Sequence, residues 1–427
     1  MKNRAKSLIL ASLMLMAMIA PFVNPRVSYI INAQSIKNMT NNNDMLGFSV
    51  QQVNVVNSTG FTVAVLAHKN NYYSTRVNAF LGDILTELGA NLIFITPNND
   101  SELYTLLNGH PELVHMADAI VLLNPADSNF TDEEDLAYLQ FLEDSKGILI
   151  LGDYYSFLYP DRLNPLTAPY GIYWLDDSVM DDTNNGYNEY YPLIHVWENN
   201  SVAKYVSNTG TIQVKYSGTC LNVTGVNDSQ KTIYIIGIGD NDTYTKYNSA
   251  NAENITVFAA VETNTGGKLF LSGSTYLFSD RYGTYTSYNN SYFAMQVLRW
   301  LLEDIKLMVY SYAAPDTLIV GKEAYVNVTI KNLDSTTAAQ NVRVTFQKTG
   351  GAYDILNSST EFNLGNLNPG ESKVVSLHIK ATDTSTAYLK VTVESDNLGK
   401  HIRTIPFETL GLGLELSLTQ KTLLYKF

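Results

Sequence analysis

Between Phe61 and Leu151 the chain alternates short apolar runs with longer stretches whose apolar residues recur every three or four positions. Phe61–Ala67, Asn91–Thr96, Asp118–Leu123 and Gly147–Leu151 have strand length and are rich in Val, Ile and Leu. Thr75–Leu88 carries helical periodicity and stops at Gly89, where a helix C-cap belongs. Glu102–His115 reads as a second helix, and Thr131-Asp-Glu-Glu as a capping pattern opening a third that runs to about Asp144. Strands that alternate with helices, and are apolar throughout instead of at every second position, predict a parallel sheet covered on both faces.

From Tyr154 to Asn254 the text turns rich in Tyr, Asn, Asp and Gly, with short strands expected at Thr211–Tyr216 and Thr232–Ile236. It reads as a large insertion at the functional edge of an α/β domain spanning 60–305. Thr256–Glu262 and Lys268–Ser272 flank a hairpin-like turn, and Ser291–Glu303, containing Trp300, reads as a closing amphipathic helix. Beyond Pro315 the period becomes two. Ala324–Lys331, Asn341–Lys348, Ser372–Ala381 and Thr386–Ser395 alternate apolar and polar residues between Gly and Asn-Pro-Gly turns. That pattern predicts an immunoglobulin-like β-sandwich over 315–410, followed by a tail at 411–427.

The N-terminus changes where such a protein is expected to work. Lys2, Arg4 and Lys6 precede an apolar run from Leu8 to Ala20, broken by Pro21 and Pro25, with Ala33 as the expected cleavage residue. This is the order of a secretory signal at 1–33, with an uncleaved membrane anchor as the alternative; a polar spacer fills 34–59. Sequons spread along the chain, among them Asn57, Asn129, Asn222, Asn254 and Asn327, fit a glycosylated exterior. Localisation is therefore expected to be secreted or cell-surface, with membrane attachment only through a partner or the uncleaved leader. Twenty-eight basic against 41 acidic residues give a net charge of −13, which repels nucleic acid. Cys220 is the single cysteine, so neither an internal disulfide nor a multi-thiolate zinc site can form.

Phe130-Thr-Asp-Glu-Glu134 with Gly147-Ile-Leu-Ile-Leu-Gly-Asp153, Tyr170-Gly-Ile-Tyr-Trp-Leu-Asp-Asp177, and Gly266-Gly-Lys-Leu-Phe-Leu-Ser-Gly-Ser-Thr-Tyr-Leu-Phe-Ser-Asp280 together resemble the class I glutamine amidotransferase-like family, in its secreted non-catalytic branch of unknown function. The resemblance covers about 60 to 305 and implies a flavodoxin-like, amidotransferase-like parallel sheet. Val320–Asn332 and Leu364-Gly-Asn-Leu-Asn-Pro-Gly370 resemble a cell-adhesion-related immunoglobulin-like domain, which implies a spacer or stalk. Amidotransferases carry a nucleophilic Cys at the strand-to-helix elbow; here Asp153 stands in that place and Cys220 lies far from it.

Chemistry elsewhere is sparse. Asp176, Asp177, Asp181 and Asp182 form the densest acidic cluster, whose oxygens suit Ca²⁺ or simply a solvated loop. The stretches Tyr187–Tyr191 and Tyr282–Tyr292 could stack on sugar rings. Ligands of open parallel sheets settle beyond the carboxyl ends of the strands. That rule selects His68, Asn70, Asp153, Tyr154, Ser272, Ser274 and Asp280 as candidate ligand contacts, with helix capping and loop closure as their structural alternative. The expected function is an extracellular binding or scaffold protein with no catalytic residue, engaging a cell-surface protein or glycan beside a transport or adhesion system. The alternatives are an extracellular glycan or peptide hydrolase using carboxylates of the insertion, and a surface-layer or filament subunit.

Overall fold

The computed structural model describes residues 60–67, 72–95, 111–124, 132–247, 255–315 and 317–411. The expected leader, spacer and C-terminal tail lie outside them, as does most of the expected 102–115 helix. Of that helix only the end is described, as the 3-10 turn Pro111–Met116.

The first strands are β1 (Thr62–Ala67), β2 (Asn91–Ile95), β3 (Ala119–Leu123) and β4 (Gly147–Leu151). Helices α1 (Asn78–Thr86) and α2 (Asp132–Glu143) join them. Gly89 has φ +67°, the left-handed conformation that lets the chain leave α1 and turn into β2. Then come α3 (Pro160–Thr167), the short strands β5 (Ile172–Trp174), β6 (Val179–Met180), β7 (Leu193–Ile194) and β8 (Val196–Trp197), and α4 (Ser201–Val206). Strands β9 (Val214–Lys215), β10 (Leu221–Val223), β11 (Lys231–Ile238) and β12 (Tyr244–Thr245) follow. The hairpin of β13 (Thr256–Thr263) and β14 (Lys268–Ser272) and helix α5 (Asn290–Leu302) complete this part.

The main sheet has the order β2-β1-β3-β4-β14-β13-β10-β5. Its first five strands are mutually parallel, and β13 turns antiparallel to β14. Alternate residues of each strand feed two cores. Val63, Val65, Leu149 and Leu151 pack with Phe80, Ile84, Phe293 and Leu298 of α1 and α5. Ala64, Leu66, Ile148 and Ile150 pack with Tyr138, Phe141, Leu163 and Leu166 of α2 and α3. Two buried faces explain why these strands read as unbroken apolar runs. The 154–247 region does more than sit on an edge: β10 and β5 extend the sheet beyond β13, and β11 and β8 pair on its far side. Of the expected strand Thr211–Tyr216, only Val214–Lys215 forms, against β7.

The C-terminal part is a two-sheet sandwich. One sheet is built from β15 (Leu307–Ala313), β17 (Glu323–Asn332), β21 (Ser372–Ala381) and β19 (Tyr353–Ile355). The other contains β16 (Thr317–Ile319), β23 (Gly399–Leu410), β22 (Ser385–Ser395), β18 (Ala339–Gly350) and β20 (Glu361–Leu367). In β17, Val326, Val328 and Ile330 point to the core while Tyr325 and Asn327 face out. The sandwich starts earlier than the expected Pro315. β15 pairs with β17 from Leu307 to Ala313, so the boundary lies directly after α5. Only Glu303 to Lys306 separate the end of α5 from β15, too short a break to mark a domain boundary in the sequence.

The sandwich docks on the amino ends of the parallel strands. In β23, His401 to Phe407 are all buried, because the strand is covered from both sides. Asp118, just before β3, is fully buried and holds four groups together. Its Oδ1 accepts from Lys146 Nζ at 2.8 Å and His401 Nε2 at 2.6 Å. Its Oδ2 accepts from Arg403 Nη2 at 2.6 Å and the Thr62 backbone N–H at 2.8 Å. Val309 N–H donates to His401 Nδ1, which leaves Nε2 as the protonated nitrogen of a neutral ring. Burial pushes the His401 pKa down to about 3 and Lys146 down to about 8, while the surrounding cations hold Asp118 well below its usual range. Nearby, Asp144 bridges His115 and Lys400 at 2.9 and 2.7 Å.

Candidate functional site

The sandwich covers the amino ends of the strands; at the carboxyl ends the described loops after β4 and β14 are laced together. Gly152 N–H donates to Ser272 O at 2.8 Å, and both the backbone N–H and the hydroxyl of Thr275 donate to Gly152 O at 2.7 Å. Gly273 is packed so tightly that a Cβ there would overlap Thr219 O and the Tyr216 hydroxyl. Ser274 Oγ donates to Ser217 O at 2.5 Å, tying the loop after β14 to the 216–220 segment.

Above this lacing lies a cavity of about 270 Å³. Tyr154, Tyr190, Tyr191 and Tyr276 supply most of its wall, Arg281 lines it on one side, and Ser178, Ser217 and Gly218 contribute the rest with Val179. Tyr191 and Tyr276 pack with ring centroids 5.4 Å apart. Lys215 Nζ stands 4.9 Å from the Tyr191 ring and Lys246 Nζ 5.3 Å from Tyr190. The Arg281 guanidinium lies 5.1 Å from the Tyr72 ring and 5.0 Å from that of Tyr282. Tyr282 has φ +52° and is 76% exposed, an unusual backbone state for a side chain presented to solvent.

Asp153 lies at the end of β4 but behind this wall. It is buried, accepts the Tyr154 backbone N–H at 2.9 Å and is hydrogen-bonded by the Tyr73 hydroxyl. Burial pushes its carboxyl up to about 7, against the pull of those bonds and of the Arg281 charge.

Of the other candidate contacts, only Tyr154 lines the cavity. Ser272 and Ser274 are fully buried and satisfy loop backbone: Ser272 Oγ donates to Ser274 O at 3.0 Å. Asp280 accepts from Ala79 N–H at 3.1 Å, satisfying a free donor in the first turn of α1. These three were expected to meet a ligand and instead close the fold, because a carboxyl-end loop without a glycine-rich opening must satisfy its own polar groups. His68 and Asn70 lie outside the described residues. Tyr190 and Tyr191 belong to a stretch expected to stack on sugar rings; Tyr276 lies within the 266–280 motif and Arg281 directly after it, and neither was expected as a contact.

The acidic loop does not converge as expected. Asp177 Oδ1 accepts the backbone N–H groups of Ser178 and Tyr247, Asp182 accepts the Tyr244 hydroxyl, and Asp176 is exposed. Asp181 meets Asp240 and Asp242 from the far loop instead, within 4.8 Å. Its Oδ1 already accepts Thr183 and Asn184 N–H groups, so loop closure occupies much of its capacity. Cys220 is fully buried and its thiol is pushed up to about 12, by burial first and then by Asp177, the opposite of an activated nucleophile. Of the five candidate glycosylation sites, Asn222 and Asn327 are exposed; Asn57, Asn129 and Asn254 lie outside the described residues. Among the described residues no helix is long and apolar enough to cross a membrane.

Residues 305–400 match the family model CARDB. No curated protein matches the chain. Among solved structures it is similar to the mmIFT52 N-terminal domain, at 19% identity over 56% of this chain and 97% of that one, with a TM-score of 0.43. It is also similar to the CARDB domain of PF1109 from Pyrococcus furiosus, at 20% identity over 25% of this chain and 94% of that one, TM-score 0.20. A crystal structure of that domain in complex with di-metal ions aligns at 18% identity over 25% of this chain and 86% of that one, TM-score 0.19. The C-terminal β-sandwich is a CARDB domain, an immunoglobulin-like, cell-adhesion-related fold.

Proposed function

We propose that this is an exported cell-surface binding protein whose α/β domain, a non-catalytic relative of the glutamine amidotransferase-like proteins, takes a glycan into its tyrosine-lined crevice. The CARDB domain acts as the spacer that holds the crevice outward. One observation carries this reading: four tyrosines wall a cavity at the carboxyl ends of the parallel strands, on the end of the sheet away from the docked CARDB domain. Tyrosine offers an apolar face to a sugar ring and a hydroxyl to its substituents. The hydrolase alternative needs two carboxyls across a cleft, and none of the described wall residues is Asp or Glu. An array of glycans probed with the full chain and with Tyr190→Ala tests it. A binder should appear, and loss of the Tyr190 ring should weaken it roughly two- to tenfold, the size of one aromatic contact of about 0.5–1.5 kcal/mol. Absence of glycan binding, or hydrolysis of a bound glycan, would overturn the reading.

A further inference from the structure

Resting on the glycan reading of the crevice, we infer that the preferred ligand is an acidic saccharide, a uronic-acid or sulfated sugar, with Arg281 as the anchor for its anionic group. The inference starts from which charges face the cavity. The described wall holds one cation, Arg281, and no carboxylate, in a chain whose net charge is −13. Among the described residues no carboxylate lies within ion-pair distance of Arg281. Aromatic rings position its guanidinium instead: Tyr72 at 5.1 Å and Tyr282 at 5.0 Å, with a long 3.4 Å contact to the Tyr282 hydroxyl. A guanidinium held by ring faces keeps its in-plane donors for a planar or tetrahedral anion, which it binds in a bidentate fork.

Two further cations act through the wall. Lys215 and Lys246 stand 4.9 and 5.3 Å from the rings of Tyr191 and Tyr190 and add positive potential without lining the cavity. Arg76 adds a third, 3.7 Å from the same Tyr72 ring that Arg281 faces. Asp153, Asp177, Glu189 and Asp280 each adjoin a wall residue in sequence, but none of them lines the cavity. Asp153 is buried, and its carboxyl is pushed up to about 7, while Asp177 and Asp280 accept backbone N–H groups of the fold. At about 270 Å³ the cavity falls just under the range of about 300–1,000 Å³ usual for drug-sized ligands. It therefore suits one terminal sugar unit of a longer chain.

The test is calorimetry on the full chain with hexuronate and sulfated oligosaccharides, each paired with its neutral counterpart of the same linkage. The wild-type protein should bind an acidic member roughly tenfold or more tighter than its neutral pair, with the difference shrinking as salt rises. Arg281→Gln should abolish that difference, with an unchanged circular dichroism spectrum and melting temperature reporting that the variant is folded; Arg281→Lys should keep part of it, since a point charge cannot form the fork. Equal affinity for acidic and neutral members in the wild type would overturn the inference and leave the glycan reading standing. An acidic preference that survives Arg281→Gln would overturn Arg281 as the anchor. Binding of neither class would overturn the crevice reading itself.

Discussion

Arg403, on the last strand of the CARDB domain, donates to Asp118 at the foot of β3 across 2.6 Å, although the two stand 285 positions apart in the chain. The pair lies in a fully buried cluster that also contains Lys146 and His401, so the two domains share a polar seam as well as apolar contacts. A buried carboxylate surrounded by three basic side chains tolerates no loss, because removing it leaves charges stranded in low dielectric.

Asp118→Ala should therefore destabilise the protein by about 3–5 kcal/mol, the cost of breaking a buried ion pair from one side. Urea unfolding should change from one shared transition to two, the first reporting separation of the domains. A variant with one unchanged transition would show that the seam does not couple them.

The same seam sets a direction with pH. His401 has a folded pKa near 3, well below its ordinary value of 6.5, so the unfolded chain takes up a proton that the folded chain refuses. Its contribution is present above about pH 6.5 and is lost as pH falls towards 3. Asp118, held low by its cations, fails in the same direction at still lower pH. Thermal melts should fall from pH 7 to pH 4 with a slope that His401→Gln reduces. An equal slope in that variant would place the acid sensitivity elsewhere.

Asp153 predicts the opposite sign. Its folded pKa is raised from 3.8 to about 7, so the folded state binds the extra proton and stability declines as pH rises from about 4 through 7. Asp153→Asn keeps an acceptor for the Tyr154 N–H and cannot ionise. It should raise the melting temperature at pH 8 and change it little at pH 5. A variant less stable at both would show that the carboxylate is needed as a charge.

The fragment 305–411 should fold alone, and 315–410 should not fold as well, because only the first includes β15 and its pairing with β17. Circular dichroism melts of the two fragments decide this, and equal stabilities would argue that β15 is dispensable.

Those two domains were legible to different degrees. The period-two text of Ser372–Ala381 and the apolar run Gly147–Leu151 match their strands residue for residue, since each pattern reflects one covered face or two. β23 was not legible: covered on both sides yet carrying His401, Arg403 and Thr404, it resembles neither pattern. The carboxyl-end rule pointed to the edge where the tyrosine-lined cavity lies, and of the side chains it selected only Tyr154 lines that cavity. Ser272, Ser274 and Asp280 have ligand-like chemistry, and only three-dimensional packing shows that loop backbone and α1 consume it. Arg281 gave no sequence signal, because its meaning comes from the tyrosine rings packed around its guanidinium.

Hydrogen–deuterium exchange of the full chain, with and without the tightest glycan from the array, tests the central claim most directly. The account predicts slowed exchange at 154–155, 178–179, 190–191, 217–218 and 276–281, the segments that wall the crevice, with the CARDB strands unchanged. Protection confined to the exposed face of β17 and β21, around Tyr325 and His378, with the crevice unaffected, would contradict it.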